Sequence, residues 1–198
     1  MTGTPDSDTT LRLSRFLDEL ALWGARINLV GSLERAALEI HVTDSLAAAR
    51  ALPAGARVAD LGSGAGFPGI PIAIARPDLD LVLVEIRERR IHFLRHIVRT
   101  LGLRCEVRRA SIEKVPERRV EYALLRAVAP LREAVELGRR WIETSGQIWV
   151  WSREDGAALG VPGVEALSLD ADGSRGRILR IPGHAFPRGT LQGDPGSR

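Results

Sequence analysis

The sequence predicts an α/β fold: a mostly parallel sheet with helices on both faces, preceded by helices at the N-terminus. Two observations carry this. Short apolar runs alternate with stretches of three- and four-residue apolar spacing, as strand–helix–strand units require, and a glycine-rich loop follows the first of those runs directly. A chain of 198 residues with 44% hydrophobic content is long enough for one full core and short for two.

In chain order, Leu13, Phe16, Leu17 and Leu20 place a helix over 11–23, and a second helix fits 33–51. Arg57 to Leu61 reads as a buried strand ending in glycines, Ile70 to Ala75 as a helix and Leu81 to Glu85 as a buried parallel strand. Ile91, Leu94, Val98 and Leu101 then mark a helix over 87–101, closed by Gly102. Strands follow at 104–108 and 122–126, a helix over 130–142, and strands at 147–151 and 177–181. Glycine and proline interrupt the chain after residue 152. Residues 1–9 and 182–198 are expected to be disordered tails. One domain over 10–181 remains, with a helical part (10–52) and a core (53–181).

Composition narrows the function classes. No run of 18 or more apolar residues and no basic-then-apolar leader is present, so neither a membrane span nor a signal peptide is expected. The single cysteine, Cys105, cannot form an internal disulfide, and no Cys/His cluster has metal-ligand spacing. The expectation is a cytoplasmic, metal-free monomer. The formal charge is +3, and Lys114 is the only lysine among 28 basic residues. Arginine keeps its charge and grips phosphate bidentately, although surface arginines are most often only solvated.

The segment Asp60-Leu-Gly-Ser-Gly-Ala-Gly-Phe-Pro-Gly69 sits where strand gives way to helix. Glycines at 62, 64 and 66 let a ligand lie against bare backbone. Glu85 stands at the end of the next strand, and an acceptor-only carboxylate there suits a ribose diol. Two ligands compete. Gly64-Ala-Gly66-Phe-Pro-Gly69 satisfies the dinucleotide pattern G-x-G-x-x-G. Against a pyrophosphate stands the negative charge of Asp60 ahead of the loop, which suits the amino group of S-adenosylmethionine instead.

The same loop, Asp60 to Pro71, resembles D-x-G-[ST]-G-x-G-[FL]-P-G-I-P of the bacterial 16S rRNA guanine-N7 methyltransferases, the glucose-inhibited division protein B family. Trp23 with Arg26-Ile-Asn-Leu29, His41-Val-Thr-Asp-Ser-Leu46, Arg89-Arg90 with Phe93-Leu94, and Leu125-Arg-Ala-Val-Ala129 are similar to further segments of that family. The resemblance implies a Rossmann-like class I S-adenosylmethionine-dependent methyltransferase fold. It also implies 16S rRNA or the small ribosomal subunit as partner. Cofactor contacts are then expected from Asp60, Gly62, Gly64, Phe67, Glu85, Ile112, Glu113 and Arg126, with Ile112–Glu113 facing the adenine. No catalytic acid or base is identified; His41, Asp44 and Arg126 are candidates for positioning the substrate. The chain departs from the family where it carries Trp151-Ser152-Arg153 in place of a Lys-Gly ending, Ser111 in place of an arginine, and Val30 in place of a threonine. Each missing group is one that could touch nucleic acid.

Overall fold

A computed structural model describes residues 6–24, 27, 29, 31–171 and 174–185. Arg26, Asn28 and Val30, part of the family resemblance, lie outside the described residues, as do 1–5 and 186–198. Asp6 opens the first helix, its carboxylate accepting the Thr9 N–H at 2.7 Å, so an N-cap places α1 (Ser7–Gly24) partly inside the expected tail. At the other end β7 (Arg177–Pro182) and a 3₁₀ turn at Gly183–Ala185 likewise enter the stretch expected to be a tail.

Between them run α2 (Arg35–Ala51), β1 (Arg57–Leu61), α3 (Gly69–Ala75), β2 (Asp80–Glu85), α4 (Glu88–Thr100), β3 (Cys105–Arg109), β4 (Val120–Arg126), α5 (Leu131–Arg139), β5 (Ile142–Ser152) and β6 (Glu165–Ser168). Two corrections to the sequence reading arise here. Ile142 is not helical: α5 stops at Arg139, Trp141 accepts the Val120 N–H through its carbonyl at 2.8 Å, and Ile142 pairs with Val120 in the sheet. The short strand β6 lies among the glycines after residue 152, where no apolar alternation marks it.

The sheet has the order β3-β2-β1-β4-β5-β7-β6. β1 pairs in parallel with both β2 and β4, and β7 lies antiparallel between β5 and β6. Alternate residues of each strand enter two cores. Val58, Leu81, Leu83, Leu124, Trp149 and Ile178 pack beneath α1, α2, α3 and α4. Ala59, Leu61, Val82, Val84, Leu125 and Ile148 pack beneath α5 and Trp141.

The β1–β4 junction is where the strand order reverses. In open α/β sheets the loops at the carboxyl ends of the strands part there and leave a crevice. Asp60, Glu85 and Arg126, named from sequence as site residues, all lie at this edge, in or at the ends of β1, β2 and β4. The antiparallel β7 also separates this sheet from the dinucleotide-binding order 3-2-1-4-5-6.

Candidate functional site

The glycine loop is folded onto the ends of β1 and β2. Gly62, Gly64 and Gly66 hold φ of 76°, 53° and 91°, values that β-branched residues in particular avoid. The N–H groups of Gly62 and Ser63 both donate to the Val84 carbonyl, and that of Gly66 to Ser63. Gly64 donates to Glu85 Oε2 at 3.1 Å. These donors are therefore spent within the loop and are not offered to a phosphate.

Glu85 is buried and ties three segments of chain together. Its Oε1 accepts from Ile86 N and Arg87 N at 2.8 Å, and its Oε2 lies 3.7 Å from Arg90 Nη1. The carbonyl of Glu85 accepts from Ala110 N, which brings the β3–β4 loop to the same edge. In that loop the Ile112 carbonyl receives the Trp141 indole N–H at 2.8 Å and the Glu113 carbonyl receives Arg140 Nη1 at 2.7 Å. The loop is thus pinned by its backbone, with Ile112 half-buried and the Glu113 side chain exposed.

Asp60 lies beneath the loop, 1% exposed, with Oδ2 accepting the Gly69 N–H at 3.1 Å. Burial pushes its carboxyl up to about 7, against the opposing effects of the Ser63 hydroxyl and the Gly69 N–H. It therefore braces the loop from within. Phe67, also buried, packs edge-on against Phe16 at 5.2 Å and His41 at 5.3 Å, joining the loop to α1 and α2.

The second wall comes from β4 and α2. Arg126 Nη2 lies 2.6 Å from His41 Nδ1 and 3.2 Å from Asp44 Oδ2. Because a guanidinium only donates, Nδ1 accepts and the ring proton sits on Nε2. Burial, and then the Arg126 charge, hold the His41 pKa below its ordinary value, which keeps the ring neutral. Burial also lowers Arg126, while Asp44 opposes that shift. The spacing of His41 and Asp44 on one helix is what turns both toward Arg126.

Three neighbours escaped the sequence reading. Arg175, in the β6–β7 connection, reaches Asp44 Oδ1 at 2.6 Å; no local signal ties it to a residue so distant in the chain. Ile86 is 55% exposed immediately after Glu85, and an apolar side chain where the strand leaves the sheet was a readable hint. Val128 covers Gly62, so that a Cβ added there would lie 3.0 Å from its Cγ2. The departures from the family are visible as well: the Ser111 hydroxyl accepts from Glu113 N and that of Ser152 from Glu154 N. A cavity of about 480 Å³ bordered by Pro77, Asp80, Arg104 and Glu106 lies at the amino ends of β2 and β3, away from all of these groups.

Comparison with known proteins agrees with this layout. The family model for rRNA small subunit methyltransferase G (GidB) matches residues 10–154. The chain is 44% identical over 127 residues to ribosomal RNA small subunit methyltransferase G of Desulfotalea psychrophila (61% of this chain, 58% of that protein). It is 43% identical over 141 residues to the protein of that name from Mycobacterium leprae (68% and 57%), and 38% identical over 144 residues to that of Gluconobacter oxydans (72% and 74%). The matches thus span little more than half the length of the first two relatives. Among solved structures, a Methanococcus maripaludis protein assigned to the S-adenosyl-L-methionine-dependent methyltransferases shares the fold with a TM-score of 0.60 at 10% identity, covering 92% of this chain and 96% of that one. A SAM-dependent methyltransferase from Aquifex aeolicus does so with a TM-score of 0.53 at 17% identity, covering 75% and 92%.

Proposed function

This chain belongs to the rRNA small subunit methyltransferase G (GidB) family, and from that premise we propose that it methylates N7 of a guanine in 16S rRNA, with S-adenosylmethionine as methyl donor. The observation that carries the reading is what the strand reversal brings to one edge of the sheet, where ligands bind in open α/β folds: a bare glycine loop and the buried Glu85 from β1 and β2, and the Arg126–His41–Asp44 cluster from β4 and α2. The residues present fit this cofactor. Glu85 is an acceptor-only group at the end of β2, suited to the ribose hydroxyls, and Ile86 and Ile112 offer apolar surface for an adenine on either side of it. A dinucleotide fits less well, because the loop N–H groups that would hold a pyrophosphate are already bonded and two acids lie beneath them.

When bound, the cofactor supplies a methyl group on a positively charged sulfur. Guanine N7 carries a free lone pair at neutral pH, so nothing need remove a proton before it attacks. The chain's task is then alignment, which lowers the barrier by proximity and orientation. Arg126 is fixed for that task by His41 and Asp44, and neutral His41 adds no further cation to the two guanidinium groups, Arg126 and Arg175, that already share Asp44.

For the RNA, α4 presents Arg95 and Arg99 on one exposed face, and neither forms an ion pair among the described residues. Arg108, by contrast, is held by Glu106 in a two-point bond of 2.8 and 2.7 Å, and Arg118 lies 3.7 Å from Asp80. The α4 arginines are therefore the freer pair for phosphate. No helix among the described residues is long and apolar enough to cross a membrane; a protein acting on the small ribosomal subunit works in the cytoplasm.

Calorimetric titration with S-adenosylmethionine and with NAD, followed by assay of 7-methylguanosine in 16S rRNA from cells with and without the gene, tests the reading. Binding of the first ligand only, with loss of the modified base on deletion, is expected. NAD binding in its place would make the chain an oxidoreductase, and S-adenosylmethionine binding with no methylated RNA would make it a cofactor-binding protein or an enzyme with another substrate.

A further inference from the structure

β7 runs antiparallel to β5, so its first residue, Arg177, stands beside Ser152 at the end of β5, and Trp151 of β5 pairs in turn with Arg126. The connection from β6 to β7 is thereby delivered to the edge of the sheet where β4 ends. Its own bonds fix it there. Asp170 Oδ2 accepts from the Ser174 hydroxyl at 2.9 Å and from Arg175 N at 2.7 Å. Gly176 lies so close to the end of β5 that an added Cβ would stand 2.7 Å from the Ser152 carbonyl oxygen. From this anchorage Arg175 Nη2 reaches Asp44 Oδ1 at 2.6 Å, across 131 residues of chain.

Asp44 is thus a buried carboxylate divided between two arginines, its Oδ2 taken by Arg126 and its Oδ1 by Arg175. A guanidinium left alone with a carboxylate favours a two-point bond, two parallel N–H groups on two oxygens. Arg126 does not make it. It gives Asp44 only Nη2, at 3.2 Å, sets the same nitrogen 2.6 Å from His41 Nδ1, and directs Nη1 to the His41 carbonyl at 3.4 Å. The oxygen that a second Arg126 bond would take is held by Arg175.

We propose that Arg175 is a positioning residue of the methyl transfer: by holding Asp44 Oδ1 it keeps Arg126 turned onto His41, in the orientation the reaction uses. The inference rests on the function proposed above. It extends the working site beyond residues 10–154, the span that the family model matches, into the antiparallel end of the sheet. Arg175 acts through Asp44 and Arg126 rather than on a reactant. Without it the buried carboxylate has one guanidinium left, and a two-point bond to that group draws Arg126 off His41. A displacement of about 1 Å at an aligning group costs on the order of 100-fold in rate.

The test uses the full chain and small ribosomal subunits that lack the modification. Arg175→Gln is expected to lower kcat about 10- to 100-fold, with the KM for subunits and the S-adenosylmethionine Kd within about twofold of the wild type. Unaltered kcat overturns the proposal and leaves the methyltransferase function standing. A raised KM with unaltered kcat also overturns it, because Arg175 is then a contact to the RNA. A double-mutant cycle supplies the second measurement. In the Asp44→Asn background, Arg175→Gln should change kcat less than about twofold further, whereas independent, multiplying losses show that Arg175 does not act through Asp44. Should Arg175→Gln fail to fold, Asp170→Ala tests the same route by releasing Arg175 N and the Ser174 hydroxyl from their shared acceptor. Its kcat should fall in the same sense at constant KM, and wild-type kcat in that variant counts against the proposal. Wild-type protein that methylates no guanine of the subunit sinks the proposed function, and this inference with it.

Discussion

Glu85 holds the loop and, under the proposed function, would also meet the ligand. Three backbone N–H groups already converge on its carboxylate, so a ribose would join a preorganised acceptor. Glu85→Ala is expected to weaken S-adenosylmethionine binding by about 1–3 kcal/mol. Glu85→Gln keeps a carbonyl oxygen for Gly64, and calorimetric titration of the two variants separates the ribose bond from loosening of the loop. Unchanged affinity in both would remove Glu85 from the site. Arg126 is tested by kinetics instead. Arg126→Ala leaves Asp44 still paired with Arg175, so the fold has a remaining anchor. Turnover should fall about 100-fold or more, the order expected when alignment fails, with a much smaller change in Tm. Large destabilisation with normal turnover per folded molecule would make Arg126 a structural ion-pair residue. Glu85 and Arg126 were legible in the sequence because each ends an apolar strand. The bracing role of Asp60 was not, since it depends on Gly69 folding back over the end of β1.

At the scale of elements, the glycine loop and α4 make separate demands. Gly62 and Gly64 combine positive φ with close neighbours, Val128 Cγ2 at 3.0 Å and Arg90 Nη1 at 3.4 Å from an added Cβ. Gly62→Val or Gly64→Val should abolish detectable S-adenosylmethionine binding, with a stability cost of about 1–3 kcal/mol from the strained backbone; wild-type affinity in either variant would contradict the loop assignment. On α4, converting Arg95 and Arg99 to Gln should shallow the dependence of log affinity for RNA on log salt by about one unit for each phosphate that the variant no longer neutralises. A slope equal to that of the wild type would place the phosphate-binding groups elsewhere. The strands from β1 to β4 and the helices between them were readable because their apolar spacing is clean. β6 and the end of α5 were not: one lies among glycines with no alternation, and Trp141 and Ile142 continue a helical spacing that the sheet then claims. Arg175 belongs to the same class of omission, since its partner is chosen by the folded β6–β7 connection.

For the molecule as a whole, the buried Asp60 links stability to pH. Its carboxyl is pushed from 3.8 to about 7, so the folded chain keeps a proton that the unfolded chain releases. That contribution is complete below about pH 4 and is lost as the pH rises through about 7, amounting to a few kcal/mol. Urea unfolding followed across this window should show the decline, and Asp60→Asn should flatten it; an unaltered slope in the variant would assign the decline to other groups. Asp78 works the other way, because its bond to the Arg76 guanidinium holds its carboxyl below the usual range, and its contribution disappears as the solution becomes acidic. The strand order has a further consequence, in time. β1 finds β2 early in the chain but must wait for β4, as Asp60 lies beside Leu83 on one side and Leu124 on the other. Pairings that close so long a loop are slow to form. A chain emerging from the ribosome would expose the glycine loop and Glu85 well before Arg126 arrives opposite them. The β1–β4 seam can close only after β4 has joined, and a ligand that fills the crevice would bridge two strands that lie far apart in the chain.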